Sequence, residues 1–356
     1  MDNTLLGRST TDLKELFAAN GFPSYRGAQV AQWLYVHSAH TFAAMSSLPA
    51  PLREQLASTY TVGRSQQLSV STSADGSFKL LLGLSDGHAV ETVGLPYPDR
   101  LSCCVSTQVG CPIGCVFCAT GLSGYIRNLS AGEIVDQVLS VQEWLPQAAS
   151  TSGHAHQRVD HVTFMGMGEP LLNYEATITA ARLLNEEMGI AMRRLTISTV
   201  GLIPGIYRLA QERLQLTLAV SLHAPSDELR RRLIPGMSRY DVKDIILACD
   251  AYVRQTGRRV TFEYCMLGGI NDSVADATAL ARLLHGLNCH VNLIPFNPVP
   301  GLPFRASVQE AVRSFREALS AHGIPVTQRL QRGSDAAAAC GQLRRRLSAT
   351  TTRPAG

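Results

Sequence analysis

The sequence predicts an α/β chain: an open, partial (β/α)6 barrel preceded by a small helical domain. Three observations carry this expectation. From about residue 100, short apolar β-prone runs alternate with helical patterns, which implies parallel strands joined by right-handed crossovers. Six or so such units are too few to close an eight-stranded barrel. The clusters with chemical potential fall just after predicted strands, where folds of this kind build their sites.

Residues 1–75 read as helical. Thr11 suits the N-cap of a helix opening at Asp12, and Arg26–His37 sets Val30, Trp33 and Leu34 at spacings of three and four. Pro49 and Pro51 precede a third helix from Leu52 to Thr59. With no reactive cluster, this segment is expected to be an accessory docking domain. Residues 76–99 form a hairpin, Ser77–Leu82 and His88–Val93, joined through Asp86-Gly87. The barrel occupies 100–335, with strands at 101–106, 160–165, 194–199, 216–222, 259–266, 289–296 and 324–329. Helical patterns at 131–145, 174–188, 203–212, 241–256, 272–286 and 307–322 lie between them. Residues 336–356 remain as an Ala-rich, flexible C-terminal tail.

A chain of 356 residues with 45% hydrophobic and 17% charged residues is globular through most of its length. It shows neither a basic stretch leading into an apolar run nor the roughly 18 consecutive apolar residues of a membrane span. Five of nine cysteines fall between Cys103 and Cys118; Cys249, Cys265, Cys289 and Cys340 are scattered. That distribution points to a metal or redox cluster in a reducing compartment, so the chain reads as cytoplasmic. A net charge of +4 permits a nucleic-acid partner without requiring one. The bunched arginines (193–194, 230–232, 258–259 and 344–346) read individually as solvated helix faces and together make RNA plausible.

The most specific motif is Cys111-Pro-Ile-Gly-Cys115-Val-Phe-Cys118. A [4Fe–4S] cluster is normally held by four cysteines, so three ligands leave one iron free. Structural zinc, the rival, prefers four ligands in paired spacings, and no partner pair lies nearby. The C-x3-C-x2-C spacing resembles that of radical S-adenosylmethionine (SAM) enzymes, in which the open iron binds SAM. Met165-Gly-Met-Gly168-Glu169-Pro170 resembles their GGEP motif, where small glycines let backbone approach the SAM amino group. Ser198 and Ser221-Leu222-His223 end predicted strands on the same face; either serine alone reads as satisfying backbone. Asn297 offers a donor and an acceptor suited to an adenine or ribose edge.

A narrower resemblance covers nearly the whole chain. Residues 104–111 (CVSTQVGC), 117–121 (FCATG), 127–130 (RNLS), 164–171 (FMGMGEPL), 195–201 (LTISTVG), 221–225 (SLHAP), 262–272 (FEYCMLGGIND), 291–298 (VNLIPFNP) and 338–343 (AACGQL) are similar to the RlmN family. These are dual-specificity adenosine-C2 RNA methyltransferases, and Cfr enzymes, which methylate carbon 8, are their sister group. The resemblance implies a radical SAM barrel, a [4Fe–4S] cluster on Cys111, Cys115 and Cys118, and SAM bound at Gly168, Glu169, Ser198, Ser221, Leu222, His223 and Asn297. It makes Cys340 the carrier of the transferred methyl group and Cys104 the resolving cysteine of a transient disulfide. Glu91 becomes the proton acceptor. The implied substrates are adenosine 2503 of 23S rRNA and adenosine 37 of tRNA, with two SAM consumed per turnover. An electron donor and a thiol reductant are implied partners, and a monomer is expected.

The blander alternatives differ in weight. Glu91 alone would be an exposed strand carboxylate, and Cys340 alone would mean nothing. Cys103 and Cys104 point to opposite faces of a strand, so one at most faces the site. Cys249, Cys265 and Cys289 read as core residues. The family pattern before the methyl-carrying cysteine is altered to Arg332-Gly-Ser-Asp335-Ala-Ala-Ala-Ala-Cys340-Gly341; Ala336 and Ala337 replace an apolar and an acidic residue, which is expected to loosen this loop. A Cfr-like carbon 8 enzyme and a non-catalytic iron–sulfur or zinc RNA-binding protein remain the competing readings.

Overall fold

The computed structural model describes residues 3–152, 158–333 and 335–343. The N-terminal unit contains α1 (Thr10–Ala19), α2 (Tyr25–Tyr35) and α3 (Ala50–Thr59). Ser9, not Thr11, caps α1: its hydroxyl takes the Asp12 N–H while the Asp12 carboxylate takes the Ser9 N–H. Leu13, Phe17, Val30 and Leu34 close the small core between α1 and α2.

The rest of the described chain is a ten-stranded sheet with helices packed on it, together with a separate two-stranded ribbon. In chain order come β1 (Gln66–Thr72), β2 (Phe78–Gly83), β3 (Ala89–Pro96), β4 (Leu101–Cys104), β5 (Gln108–Gly110), α4 (Ala119–Leu122), β6 (Tyr125–Asn128) and α5 (Ala131–Ser152). Then follow β7 (His161–Phe164), α6 (Tyr174–Glu186), β8 (Leu195–Thr199), α7 (Ile203–Gln211), β9 (Thr217–Ser221), α8 (Asp227–Leu233) and α9 (Val242–Thr256). The chain continues through β10 (Val260–Met266), α10 (Val274–Leu284), β11 (Cys289–Pro295), α11 (Gln309–Ala321) and β12 (Val326–Gln328).

Seven of these strands run parallel in the order β4-β7-β8-β9-β10-β11-β12, and β1-β2-β3 extend the sheet antiparallel from β4. The order is linear, with β1 and β12 at opposite edges, so the barrel is open as its strand count requires. All seven predicted parallel strands and the six crossover helices are present. The hairpin at Asp86-Gly87 is also present, with Leu81 facing Glu91 and Lys79 facing Val93.

Two elements correct the sequence reading. Gln66–Thr72 is a strand, not part of a helical segment; six of its seven residues are exposed, so it lacks the half-buried alternation that marks a strand. The ribbon β5–β6 was also unforeseen, because strands of three and four residues carry no period.

The helical unit is fastened to the barrel by charge as well as by packing. Arg64 pairs with Asp136 and Glu143 of α5, and its side chain is 2% exposed. Thr10 donates its backbone N–H and its hydroxyl to Glu187, both at 2.7 Å. No helix among the described residues is long and apolar enough to cross a membrane.

Candidate active site

The C-terminal ends of the parallel strands open into a cavity lined by residues from the cysteine loop, the strand ends and the Cys340 segment. Its floor is the cysteine loop. The ribbon β5–β6 pins the two ends of that loop, pairing Gln108 with Asn128 and Gly110 with Tyr125. Gly110 has φ of +80°, and a Cβ there would sit 1.8 Å from the Gly124 carbonyl oxygen, so only glycine can enter the loop this way. Within it the Cys118 N–H donates to Cys115 O and the Val116 N–H to Leu233 O. Cys111, Cys115 and Cys118 all line the cavity. Burial pushes the Cys111 thiol up to about 12; burial and then the neighbouring Cys118 and Cys111 push Cys115 well above the usual range.

Glu169 follows the second parallel strand. Its Oε2 accepts the Val200 N–H (2.8 Å) and its Oε1 the Leu171 N–H (3.0 Å), tying the ends of β7 and β8 together. Burial outweighs these bonds and raises the carboxyl to about 7. Gly168, at φ +106°, brings backbone so close to Gln108 that a Cβ would meet it at 2.7 Å. Ser198, Ser221 and Asn297 line the same cavity. Leu222, expected at the SAM site, does not line it: the residue is fully buried.

His223 sits at φ +62°, rare for a residue with a side chain. Its ring lies edge-on to Phe117 at 5.0 Å, and its Nδ1 accepts the Cys265 N–H at 3.0 Å. A backbone N–H can only donate, so the ring proton belongs on Nε2. Burial, then the charge of Arg230, hold the imidazole down to about 3.

Cys104 and Cys340 meet the loop cysteines in this cavity. Cys104 and Val93 are cross-strand partners, as are Ser102 and Leu95, so Glu91, Val93, Leu95 and Cys104 share one sheet face. Cys103 points to the other face, where its sulfur lies 3.6 Å from Thr92 Oγ1. Cys340 is open to the cavity yet ringed by protein, and burial lifts its thiol to about 11. Glu91 is buried rather than exposed, outside the cavity lining, and paired with Lys79 at 2.9 Å.

The segment carrying Cys340 is docked, not a loose tail. Ala338 and Ala339 are buried; Ala119 N–H donates to Gly341 O, Thr120 Oγ1 to Leu343 O and Asn297 Nδ2 to Cys340 O. Asp335 accepts from Ser73 Oγ and Ala74 N–H, while Asp75 accepts from Gly333 N–H and Arg332. These bonds hold the segment despite Ala336 and Ala337, so the expected loosening is not seen.

Arrangement and sequence relationships agree. The profile of the Radical SAM superfamily matches residues 105–281, and that of the ribosomal RNA large subunit methyltransferase N-terminal domain matches 3–62. A probable dual-specificity RNA methyltransferase RlmN of Thermosynechococcus vestitus is 49% identical over 340 residues, covering 96% of this chain and 98% of the relative. The corresponding protein of Gloeobacter violaceus is 48% identical over 346 residues, covering 97% of this chain and 96% of the relative. This chain belongs to the RlmN family. The crystal structure of a radical SAM methyltransferase from Sphaerobacter thermophilus superposes with a TM-score of 0.92 at 47% identity, covering 96% of this chain and 99% of that one. The chain is therefore a radical SAM RNA methyltransferase, and superfamily membership implies SAM and a [4Fe–4S] cluster.

The three loop thiols fit such a cluster by their chemistry. Among the described residues no three His, Cys, Asp or Glu side chains converge tightly enough to grip a single ion. The donors are soft, they line one cavity, and burial disfavours the thiolates of Cys111 and Cys115 until a metal compensates.

Relative to other RlmN-family features, several neighbours carried no sequence signal. Arg230, read as part of a solvated run, is 2% exposed; its guanidinium holds the carbonyls of Ser221, Leu222 and Val200, fixing the ends of β8 and β9. Arg329 follows β12 into the cavity, where it faces Cys340, Glu263 and Cys104 in turn. Ser106 Oγ donates to Glu91 O and accepts from Met167 N–H, joining β3 to the Gly168 loop. Cys249, Cys265 and Cys289 are buried, but Cys265 also reaches the cavity wall. The basic run 344–346 lies outside the described residues.

Proposed function

We propose that this chain methylates carbon 2 of adenosine 2503 in 23S rRNA and of adenosine 37 in tRNA. The observation that carries the reading is that Cys104 and Cys340, thiols the cluster does not need, line the same cavity as the three loop cysteines. Carbon 2 lies in an electron-poor ring and has no electron pair with which to take a methyl group directly. Cys111, Cys115 and Cys118 would hold the cluster; Gly168, Glu169, Ser198, Ser221, His223 and Asn297, with backbone at Leu222, would hold SAM. When bound, these groups supply a methyl group for sulfur and the 5′-deoxyadenosyl radical that activates it.

Cys340 would carry the methyl group as a thioether; loss of one methyl hydrogen to the 5′-deoxyadenosyl radical, which leaves as 5′-deoxyadenosine, would let that carbon bond to carbon 2, with one electron returned to the cluster. Glu91 takes the carbon 2 proton. The Cys104 thiolate then attacks the Cys340 sulfur and breaks its bond to carbon; the electron pair goes to that carbon, which takes a proton and leaves as the new methyl group. A Cys104–Cys340 disulfide remains, and a thiol reductant reopens it. A flipped or single-stranded adenosine is required, since stacking hides carbon 2.

Anaerobically reconstituted protein, reductant, SAM and RNA should yield 2-methyladenosine and 5′-deoxyadenosine. Cys104→Ala should instead accumulate RNA bonded to Cys340, detected by mass spectrometry of the tryptic peptide. 8-Methyladenosine would reassign the carbon, and absence of both the product and the adduct would reject the mechanism.

A further inference from the structure

Lys79 stands on β2, diagonal to Glu91 on the same sheet face: it faces Val93, two residues beyond Glu91 on β3. Its side chain is 12% exposed, and its ammonium lies 2.9 Å from Glu91 Oε1. The same nitrogen donates at 2.9 Å to the carbonyl oxygen of Ala337, three residues before Cys340. Ala337 holds φ +48°, a left-handed conformation that an alanine adopts only under restraint. One cation therefore grips both the carboxylate and a strained turn of the segment that presents the methyl-carrying sulfur.

We infer that Lys79 is a positioning residue that couples the docking of the Cys340 segment to the placement of the Glu91 carboxylate. The inference rests on the roles proposed above for Glu91 and Cys340. Lys79 exchanges no proton in it: the carbon 2 C–H bond breaks, its proton passes to Glu91 and its electron pair returns to the ring. A three-donor ammonium suits two acceptors at different angles. When the segment lifts, the ammonium loses Ala337; when the segment seats, the carboxylate and the sulfur are set by one contact. Neutralising a buried carboxylate is the plainer role of such a lysine, and it predicts a general loss of stability rather than a block at one step.

The test uses full-length, cluster-loaded protein with RNA and SAM, comparing wild type, Lys79→Met and Lys79→Arg. In Lys79→Met, 5′-deoxyadenosine formation and S-methylation of Cys340 should stay within about two-fold of wild type. Release of methylated RNA should slow by about a hundred-fold, as for a lost general base, with the RNA–Cys340 adduct accumulating. Lys79→Arg should recover most of the release rate. Equal slowing of every step, or unchanged release, would overturn the inference. If Lys79→Met does not fold, Lys79→Leu, which likewise has neither the charge nor a donor for Ala337, carries the same expectation. Hydrogen exchange separates this from failure of the functional reading. Backbone amides in 335–343 should exchange about ten-fold faster in Lys79→Met whether or not wild type methylates RNA, and unchanged exchange would remove the coupling.

Discussion

The imidazole of His223 accepts the backbone N–H of Cys265 at Nδ1, 3.0 Å away, and so presents an N–H at Nε2. Burial and Arg230 hold the ring neutral down to about pH 3. His223→Asn, which tolerates the left-handed backbone, should weaken SAM binding about ten-fold, the value of one lost hydrogen bond. The slope of activity between pH 6 and 8 should not change. Equilibrium dialysis and a pH–rate profile check both parts, and a lost inflection in the variant would assign the titration to His223 after all.

Glu169 gives the opposite pH signature. Its folded carboxyl is raised to about 7 from 4.5, so the folded state binds more protons than the unfolded state between those values. Stability contributed by its neutral form is present at low pH and is lost as pH rises through about 7. Between pH 5 and 8, wild type should lose about 3 kcal/mol more than Glu169→Gln in urea denaturation. Parallel curves would show that bound SAM or relaxation keeps Glu169 ionised throughout.

Arg329 faces both proposed reacting thiols. Burial raises Cys104 and lifts Cys340 to about 11, and Arg329 is the leading charge that opposes both shifts. Arg329→Gln should therefore move the pH midpoint of Cys340 alkylation upward, slowing iodoacetamide by about ten-fold per unit below it. Peptide-resolved mass spectrometry across the pH range reads this directly. Removing the nearby Glu263 carboxylate should move the midpoint the other way.

Asp75 accepts the Gly333 N–H of the C-terminal segment, and Asp335 of that segment accepts the Ala74 N–H in return, a reciprocal clasp. Hydrogen bonds from Ser77 and Gly333 outweigh burial and hold the Asp75 carboxyl down to about 2, so the clasp survives mild acid. Asp75→Ala should free the segment by about 1–3 kcal/mol and speed alkylation of Cys340 several-fold. Limited proteolysis near residue 334 offers a second readout.

Much of this architecture was legible because periodic patterns reflect burial. The parallel strands from β7 to β11 carry enough apolar residues for the sheet to show, and the cysteine spacing already resembled that of the superfamily to which the chain belongs. What stayed hidden depends on contacts far apart in sequence. Nothing local in Phe78-Lys79-Leu80 says that its lysine reaches Ala337, and nothing in a run of three arginines says that Arg230 alone turns inward. Gln66–Thr72 was missed because an edge strand exposed on both faces has no hydrophobic period. Glu91, which alone reads as an exposed strand carboxylate, is buried against Lys79, a contact that only the paired strands reveal.

The Cys340 segment roofs the cavity and is stitched to the cysteine loop by Ala119 and Thr120. Lid and base of the vessel are thus fastened to each other, so a substitution that disturbs the cysteine loop at Ala119 or Thr120 reaches Cys340 through two hydrogen bonds, without passing through the sheet.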